Sequence, residues 1–327
     1  MRYVRNLLIA TVLFAASSTF LMGQSNGDTP EKHVAAAKAA AGQEHLGLLA
    51  RVCTDPEPAP APAPANNAQP RRQGPPPASE WHVEPAKVFD NLYFVGQKDV
   101  SSWAVTTSAG IIIIDAIWEY SVEEQIVGGL KKLGLNPADI KYVIVSHGHG
   151  DHVGGAKYLQ DHLGAKIVLS AADWDLVDKT IRPEIRPKRD IVATDGQKIT
   201  LGDETITLYV TPGHSPGSMS MLIPVKDNGQ PHLAAQWGGT AFNFPPTRPN
   251  FQVYIDSARR FGDIAGKAGA DVMIANHTAT DGTITKLPRV ATRKPGEPHP
   301  YVSTKDTAKR YMKVAEECAT AAMLRIK

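Results

Sequence analysis

The chain has 327 residues, 42% of them hydrophobic, enough for one large domain with a proper core plus extensions. Its 35 Lys and Arg against 33 Asp and Glu give a formal charge of +2, so no basic surplus points to nucleic acid and no acidic run points to a tail. Only Cys53 and Cys318 are present, which excludes a zinc site built from cysteines.

At the N-terminus, Arg2 and Arg5 precede an apolar run from Leu7 to Met22, with the small and polar Gly23, Gln24 and Ser25 behind it. The run falls short of the about 20 residues that a bilayer span needs. Residues 1–24 therefore read as an export signal, with an uncleaved anchor as the alternative. The expectation is a periplasmic or secreted protein with no stable membrane association once the signal is removed. Arg2 and Arg5 are the only charges in that segment, so its removal leaves no net charge.

Residues 25–54 read as a helical arm. Thr29-Pro30 is a helix start, because Pro suits the first helical position, and Asp55-Pro56 stops the helix. Between them Val34, Ala37, Ala41, Leu48 and Val52 recur at helical spacing. Residues 55–79, rich in Ala and Pro with no apolar periodicity, read as a semi-rigid linker of polyproline type.

From Trp81 the texture changes, and residues 80–327 read as the main domain. Residues 88–95, 102–107 and 111–115 predict strands, 121–133 a helix ended by Gly134, and 142–146 a short apolar strand buried on both faces. A helix over 153–163, a strand over 166–169, and strands near Ile199, over 205–210 and over 218–225 follow. The run from Ile181 to Asp190 reads as an exposed loop, with a basic rim over a functional site as the alternative. A helix over 251–268 and a strand over 271–275 complete the alternation, which argues an α/β layered fold. The last 25 residues predict an amphipathic helix capped by Ser303, with Ala308, Tyr311, Ala315, Cys318 and Ala322 on one side. A Cys53–Cys318 bond would pin the arm to this helix and contribute roughly 4–5 kcal/mol in the chain-entropy model; two free thiols are the alternative.

The densest chemical signal is "SHGHGDHVGG", where His147, His149, Asp151 and His152 follow the apolar strand directly. Imidazole with carboxylate suits zinc, iron or manganese, and a loop anchored on a strand end holds ligands firmly. Glycines 148, 150, 154 and 155 are expected to let the backbone bend around an ion. His214 in "TPGHSPGS" and His277 in "ANHTATDG" stand at two further strand exits. A lone histidine in such a place is more often structural, but three histidine-bearing strand exits in one domain reinforce each other. Ser215, with no paired base, reads as a turn residue.

These three segments in this order resemble the metallo-β-lactamase-fold hydrolases, over about Trp81 to His277, and "NLYFVG" and "GIIIIDA" extend the resemblance. The resemblance implies an αββα sandwich with two zinc ions at one edge. His147, His149 and His214 would hold the first ion, and Asp151, His152 and His277 the second. Many branches carry a bridging Asp or a Cys in a segment that here reads "WGGTAF", with Gly239 at the matching place. No Asp or Cys occurs between Asn228 and Ile255, so the chain is closest to the third, His/Asp-only, metallo-β-lactamase subclass.

The implied reaction is attack of metal-activated hydroxide on an amide carbonyl, opening a β-lactam, with Asp151 as ligand, orienting group and proton shuttle. A same-fold hydrolase of another ester, lactone or thioester is the alternative, and a non-catalytic metal-binding protein a third reading. Trp103, Trp118, Thr240, Asn243 and Arg248 are candidates for holding a small-molecule substrate. Arg248 would pair with a carboxylate or else stand solvated. The sequence does not fix the oligomeric state.

Overall fold

The computed structural model describes residues 27–54 and 74–326. The expected export signal and residues 55–73 of the expected linker lie outside the described residues. The arm is two helices rather than the one predicted: α1 (Pro30–Ala41) and α2 (Leu46–Val52). Gly42 separates them with φ +52°, a backbone state open to glycine that ends α1 and turns the chain. The Thr29 hydroxyl accepts from the Lys32 amide and caps α1.

After α3 (Ala78–Trp81), seven strands form one sheet in chain order: β1 (Ala86–Lys87), β2 (Leu92–Phe94), β3 (Trp103–Thr107), β4 (Gly110–Ile114), β5 (Ile140–Ile144), β6 (Lys166–Ser170) and β7 (Ile191–Ala193). β1 to β4 pair antiparallel, and β4 to β7 pair parallel. The apolar β4 and β5 sit where strands are covered on both faces. The second sheet runs β12-β11-β10-β9-β8, from β8 (Lys198–Leu201), β9 (Glu204–Val210), β10 (Met219–Asp227), β11 (Gln230–Trp237) and β12 (Val272–Ala275). Its pairs are antiparallel except β11 with β12.

A π-helical turn at Glu123–Gly128 leads into α4 (Gly129–Lys132). α5 (Gly150–Val153), α6 (Ala156–Leu163), α7 (Ala171–Thr180), α8 (Arg248–Ala268), α9 (Thr278–Asp281), α10 (Thr283–Ala291) and α11 (Thr307–Leu324) complete the helices. α7, α9, α10, β7 and β11 go beyond the predicted elements. α11 begins at Thr307, with Asp306 and not Ser303 at its cap position. Ser303 is still extended, because its amide donates to Asp271 O while Val302 bridges Val272.

One apolar cluster joins the facing surfaces of the two sheets, through residues such as Val105, Ile113, Leu208 and Met221, and continues to Leu159 and Val177 under α6 and α7. A second lies between Trp237 and Ala235 of the other sheet and Tyr254, Phe261, Tyr311 and Ala315 of α8 and α11. The result is a helix–sheet–sheet–helix sandwich. The arm joins the second cluster through Ala37, Ala41, Leu48 and Val52, and a Cys53–Cys318 disulfide ties the end of α2 to the middle of α11. Among the described residues no helix is long and apolar enough to cross a membrane.

Candidate metal centre

The centre forms where strand ends of both sheets meet: the Met219 amide, at the start of β10, donates to Ser146 O just beyond β5 at 2.7 Å. Beside it, β4 ends in a turn that holds Asp115 at φ +62° and Ile117 at φ +52°, a costly state for a β-branched residue. That turn aims the buried Asp115 carboxylate at the Ser146 amide (2.6 Å), the Ser146 hydroxyl (2.8 Å) and His152 Nδ1 (2.9 Å). The connection out of α5 packs tightly on the same turn, since a Cβ on Gly155 would lie 2.3 Å from Ala116 O. None of glycines 148, 150, 154 and 155 has a positive φ. They permit close approach, not the tight bend expected of them.

The side chains converge from four places. His147 follows β5, and His149 stands at the N-cap of α5, which carries Asp151 and His152. His214 leaves β9, and His277 leaves β12 at the N-cap of α9. His147 Nε2 and His214 Nε2 lie 3.1 Å apart, and His149 Nδ1 is 3.2 Å from the latter. His152 Nε2 lies 3.4 Å from His277 Nε2, and Asp151 Oδ2 reaches them at 3.3 and 3.7 Å. On four of the five rings the other nitrogen is already committed. Nδ1 of His147, His214 and His277 donates to Gly238 O (2.8 Å), Ala241 O (2.7 Å) and Asp99 O (2.9 Å), and His152 Nδ1 to Asp115. Carbonyls only accept, so these tautomers turn the Nε2 lone pairs inward, against one another. Facing lone pairs at 3.1 Å repel unless a cation lies between them. Donation of the far nitrogen to carbonyl or carboxylate is also how metal-bound imidazoles are oriented. The donor set fits a divalent metal of zinc type.

Three buried carboxylates brace the loops. Asp115 serves β5 and His152. Asp173 accepts from the Gly148 and Gly217 amides (2.8 and 2.6 Å) and the Ser215 hydroxyl (2.6 Å), joining the His147 and His214 loops. Asp281 accepts from the Ala275 and Thr283 amides, both at 2.8 Å, closing the loop that carries His277. Sequence reasoning passed over all three roles. Asp115 alone had a signal, ending the apolar "GIIII" run.

Burial pushes the His147 imidazole well below its ordinary range and the His214 imidazole down to about 3, and neighbouring imidazoles add to both. Burial lowers His149 and His277 as well. Burial alone would raise Asp151, but His152 and His277 beside it hold the carboxyl far below the usual carboxylate range. Burial pulls His152 down, and the carboxylates of Asp151 and Asp115 overcome it and lift the ring to about 10. That pair of carboxylates favours positive charge at His152 Nε2, whether a proton or a dication.

Position 239 is closed to side chains: a Cβ there would lie 2.5 Å from His214 Cβ. A carboxylate at position 239 would therefore require His214 to shift. A cavity of about 470 Å³ opens beside His149 and His214, enclosed by Leu176, Phe244 and Val253 with the amides of Asn243 and Asn250. Of the substrate candidates, Asn243 lines it. Thr240 is fully buried, its hydroxyl donating to Asn276 Oδ1 at 3.0 Å. Arg248 is exposed and donates to Ile326 O at 3.1 Å, outside the cavity lining. Trp103 is buried against Phe94 in the core. Trp118 is half-exposed, stacked on Tyr120 and packed over Gly150 at the start of α5. Ser215 donates its hydroxyl to Asp173 and belongs to the bracing.

Residues 95–227 match the metallo-beta-lactamase superfamily. An N-acyl homoserine lactonase of Bacillus cereus is 31% identical over 153 residues, 44% of this chain and 59% of that protein. The chain thus spans 59% of the length of that curated relative. Among solved structures, BJP-1, a subclass B3 metallo-beta-lactamase of Bradyrhizobium japonicum, is 27% identical with a TM-score of 0.59, covering 71% of this chain and 90% of that one. A metallo-beta-lactamase of Cronobacter sakazakii is 28% identical with a TM-score of 0.60, covering 72% and 93%.

Proposed function

We propose that this chain, a hydrolase of the metallo-β-lactamase superfamily, binds a pair of zinc ions and opens the β-lactam ring by attack of water on its carbonyl carbon. His147, His149 and His214 would hold the first ion, and Asp151, His152 and His277 the second. The observation that carries the reading is the inward-facing set of imidazoles, four of them, His147, His152, His214 and His277, fixed by a hydrogen bond on the far side of the ring. The closed position at Gly239 supports a His/Asp-only ligand set. When bound, the metal acidifies water and polarises the substrate carbonyl.

The chain's own groups do the rest. Asp151, held as a carboxylate, accepts the hydrogen bond of the attacking water and passes its proton towards the leaving atom. Leu176, Phe244 and Val253 keep water from the ring's substituent, and the Asn243 amide meets polar groups at the rim. No protein nucleophile is required. Export to a periplasm or beyond belongs to this proposal, and the Cys53–Cys318 bond supports an oxidising compartment.

One observation favours a second reading, hydrolysis of a neutral lactone. No residue described as lining the cavity is Lys or Arg, and Arg248 points away to Ile326. The lactonase relative acts on such a ring by its name. Turnover of nitrocefin and of an N-acyl homoserine lactone by zinc-loaded enzyme, with elemental analysis, separates the readings. Lactam turnover upholds the first, and lactone turnover alone replaces it with the second. A metal-replete protein inert to both, and to simple esters and thioesters, favours the non-catalytic metal-binding reading.

A further inference from the structure

We infer that the N-terminal arm is a positioning element for the His277 side of the metal centre, locked in place by the Cys53–Cys318 disulfide. The inference rests on His277 being a ligand, as proposed above.

α9 starts at the residue after His277, and α2 lies directly on it. A Cβ built on Gly47 would fall 2.0 Å from Ala279 O and 3.1 Å from Ala279 C. The two backbones therefore touch with no side chain between them. The opposite side of the same segment is sewn to residues 98–101. His277 Nδ1 donates to Asp99 O at 2.9 Å, the Thr278 hydroxyl to Lys98 O, and the Ser101 amide to Asn276 O at 2.9 Å. The ligand's backbone is thus gripped between one loop of the main domain and one helix of the arm.

α2 has seven residues, too few to hold its shape alone. Three ties keep it down. His45 Nε2 donates to Thr307 O at 3.1 Å. Glu44 accepts from the Thr307 hydroxyl at 2.5 Å and pairs with Arg310. At the far end Cys53 is bonded to Cys318. All three ties end on α11, so α11 carries the arm and the arm bears on α9. His147 and His214 take their support from sheet ends and Asp173, whereas α2 packs on α9, α11 and α1. The arm therefore acts on one side of the centre alone.

The test uses three metal-free proteins: wild type, Cys53→Ser/Cys318→Ser and Gly47→Ala. Each is titrated with zinc against a chromophoric chelator. Serine replacement avoids dithiol reductants, which bind zinc themselves. Wild type is expected to fill in two steps. Both variants are expected to weaken one step by about 10–100-fold, the range for groups that orient metal ligands, and to leave the other unchanged. His277→Ala in the otherwise unchanged chain is expected to remove that same step, which identifies it. Equal weakening of both steps, or no change in either, overturns the inference. If Gly47→Ala does not fold, the cysteine pair decides alone. A wild type that takes up no zinc removes the metal reading itself, a failure distinct from two unperturbed steps.

Discussion

His147 and His214 are almost sealed, at 0% and 3% exposure, whereas the side chains of His277 and Asp151 keep 25% and 22% of theirs. The sealed side is assembled from ends of both sheets, with Ser146 O bonded to the Met219 amide and Asp173 bridging two loops. On the open side His277 hangs on a four-residue helix and a disulfide-tied arm, while its neighbour His152 is buried and held by Asp115. A rigid half fixes where the reacting atoms sit, and a peripheral half can be tuned without unfolding the sandwich. The sealed side should therefore tolerate least.

Breaking it gives the largest effect. His214→Ala removes a nitrogen shared by two close approaches, to His147 and to His149. Hydrolysis should fall to background, with loss of the first metal equivalent by elemental analysis. A variant that keeps both metals and its rate would overturn the assignment. His277→Ala should do less. One equivalent should stay bound and the fold should persist, because the His277 side chain keeps 25% of its surface exposed at the rim of the centre. Two tightly held metals in that variant would reassign the ligand.

The contrast sharpens at the braces. In Asp173→Asn an amide nitrogen would face the Gly148 or Gly217 N–H, so one donor loses its acceptor. We expect about 10–100-fold weaker binding at the first step, with the second spared. Asp281→Asn makes the same change under Ala275 and Thr283 and should weaken only the second step. Equal effects of the two variants on both steps would mean that the halves are not independently held. Chelator-competition titration reads both outcomes.

What the sequence made legible follows the same division. His147, His149, Asp151 and His152 fall in one short stretch after an apolar strand, and local spacing suffices to see a donor cluster there. The braces act through tertiary placement. Asp173 and Asp281 sit on α7 and α9, and residue type does not distinguish them from exposed aspartates of α7 such as Asp175 and Asp178, which pair with Arg189. β11 was illegible because "QPHLAAQW" opens on polar residues and is rich in Ala, against strand preference. The arm misled in one place: apolar spacing runs through Gly42, but a left-handed glycine breaks the helix. Thr240 and Arg248 were chosen by chemical type, and type does not say which way a side chain turns. Packing sends Thr240 into the core, and the exposed Arg248 turns to the Ile326 carbonyl.

The smallest effect concerns the arm and is read by pH. Burial pushes the His45 imidazole down to about 4, against Glu44, with Arg310 and Lys286 adding to the depression. Above pH 6.5 the ring is neutral in both folded and unfolded chains. Between 6.5 and about 4 the unfolded chain takes up a proton that the folded one refuses, so stability is lost as pH falls through that window. Glu44, whose carboxyl is held low by Thr307 and Arg310 despite burial, acts in the same direction at lower pH. The loss due to His45 is on the order of 1–3 kcal/mol. His45→Gln can still donate to Thr307 O but has nothing to titrate. Thermal melts of metal-free wild type and variant, from pH 7.5 to 4.5, should therefore converge as pH falls, with the wild type losing more. The depressed histidines of the metal centre contribute equally to both proteins and cancel in the difference. Parallel curves would place the arm's acid sensitivity elsewhere than in His45.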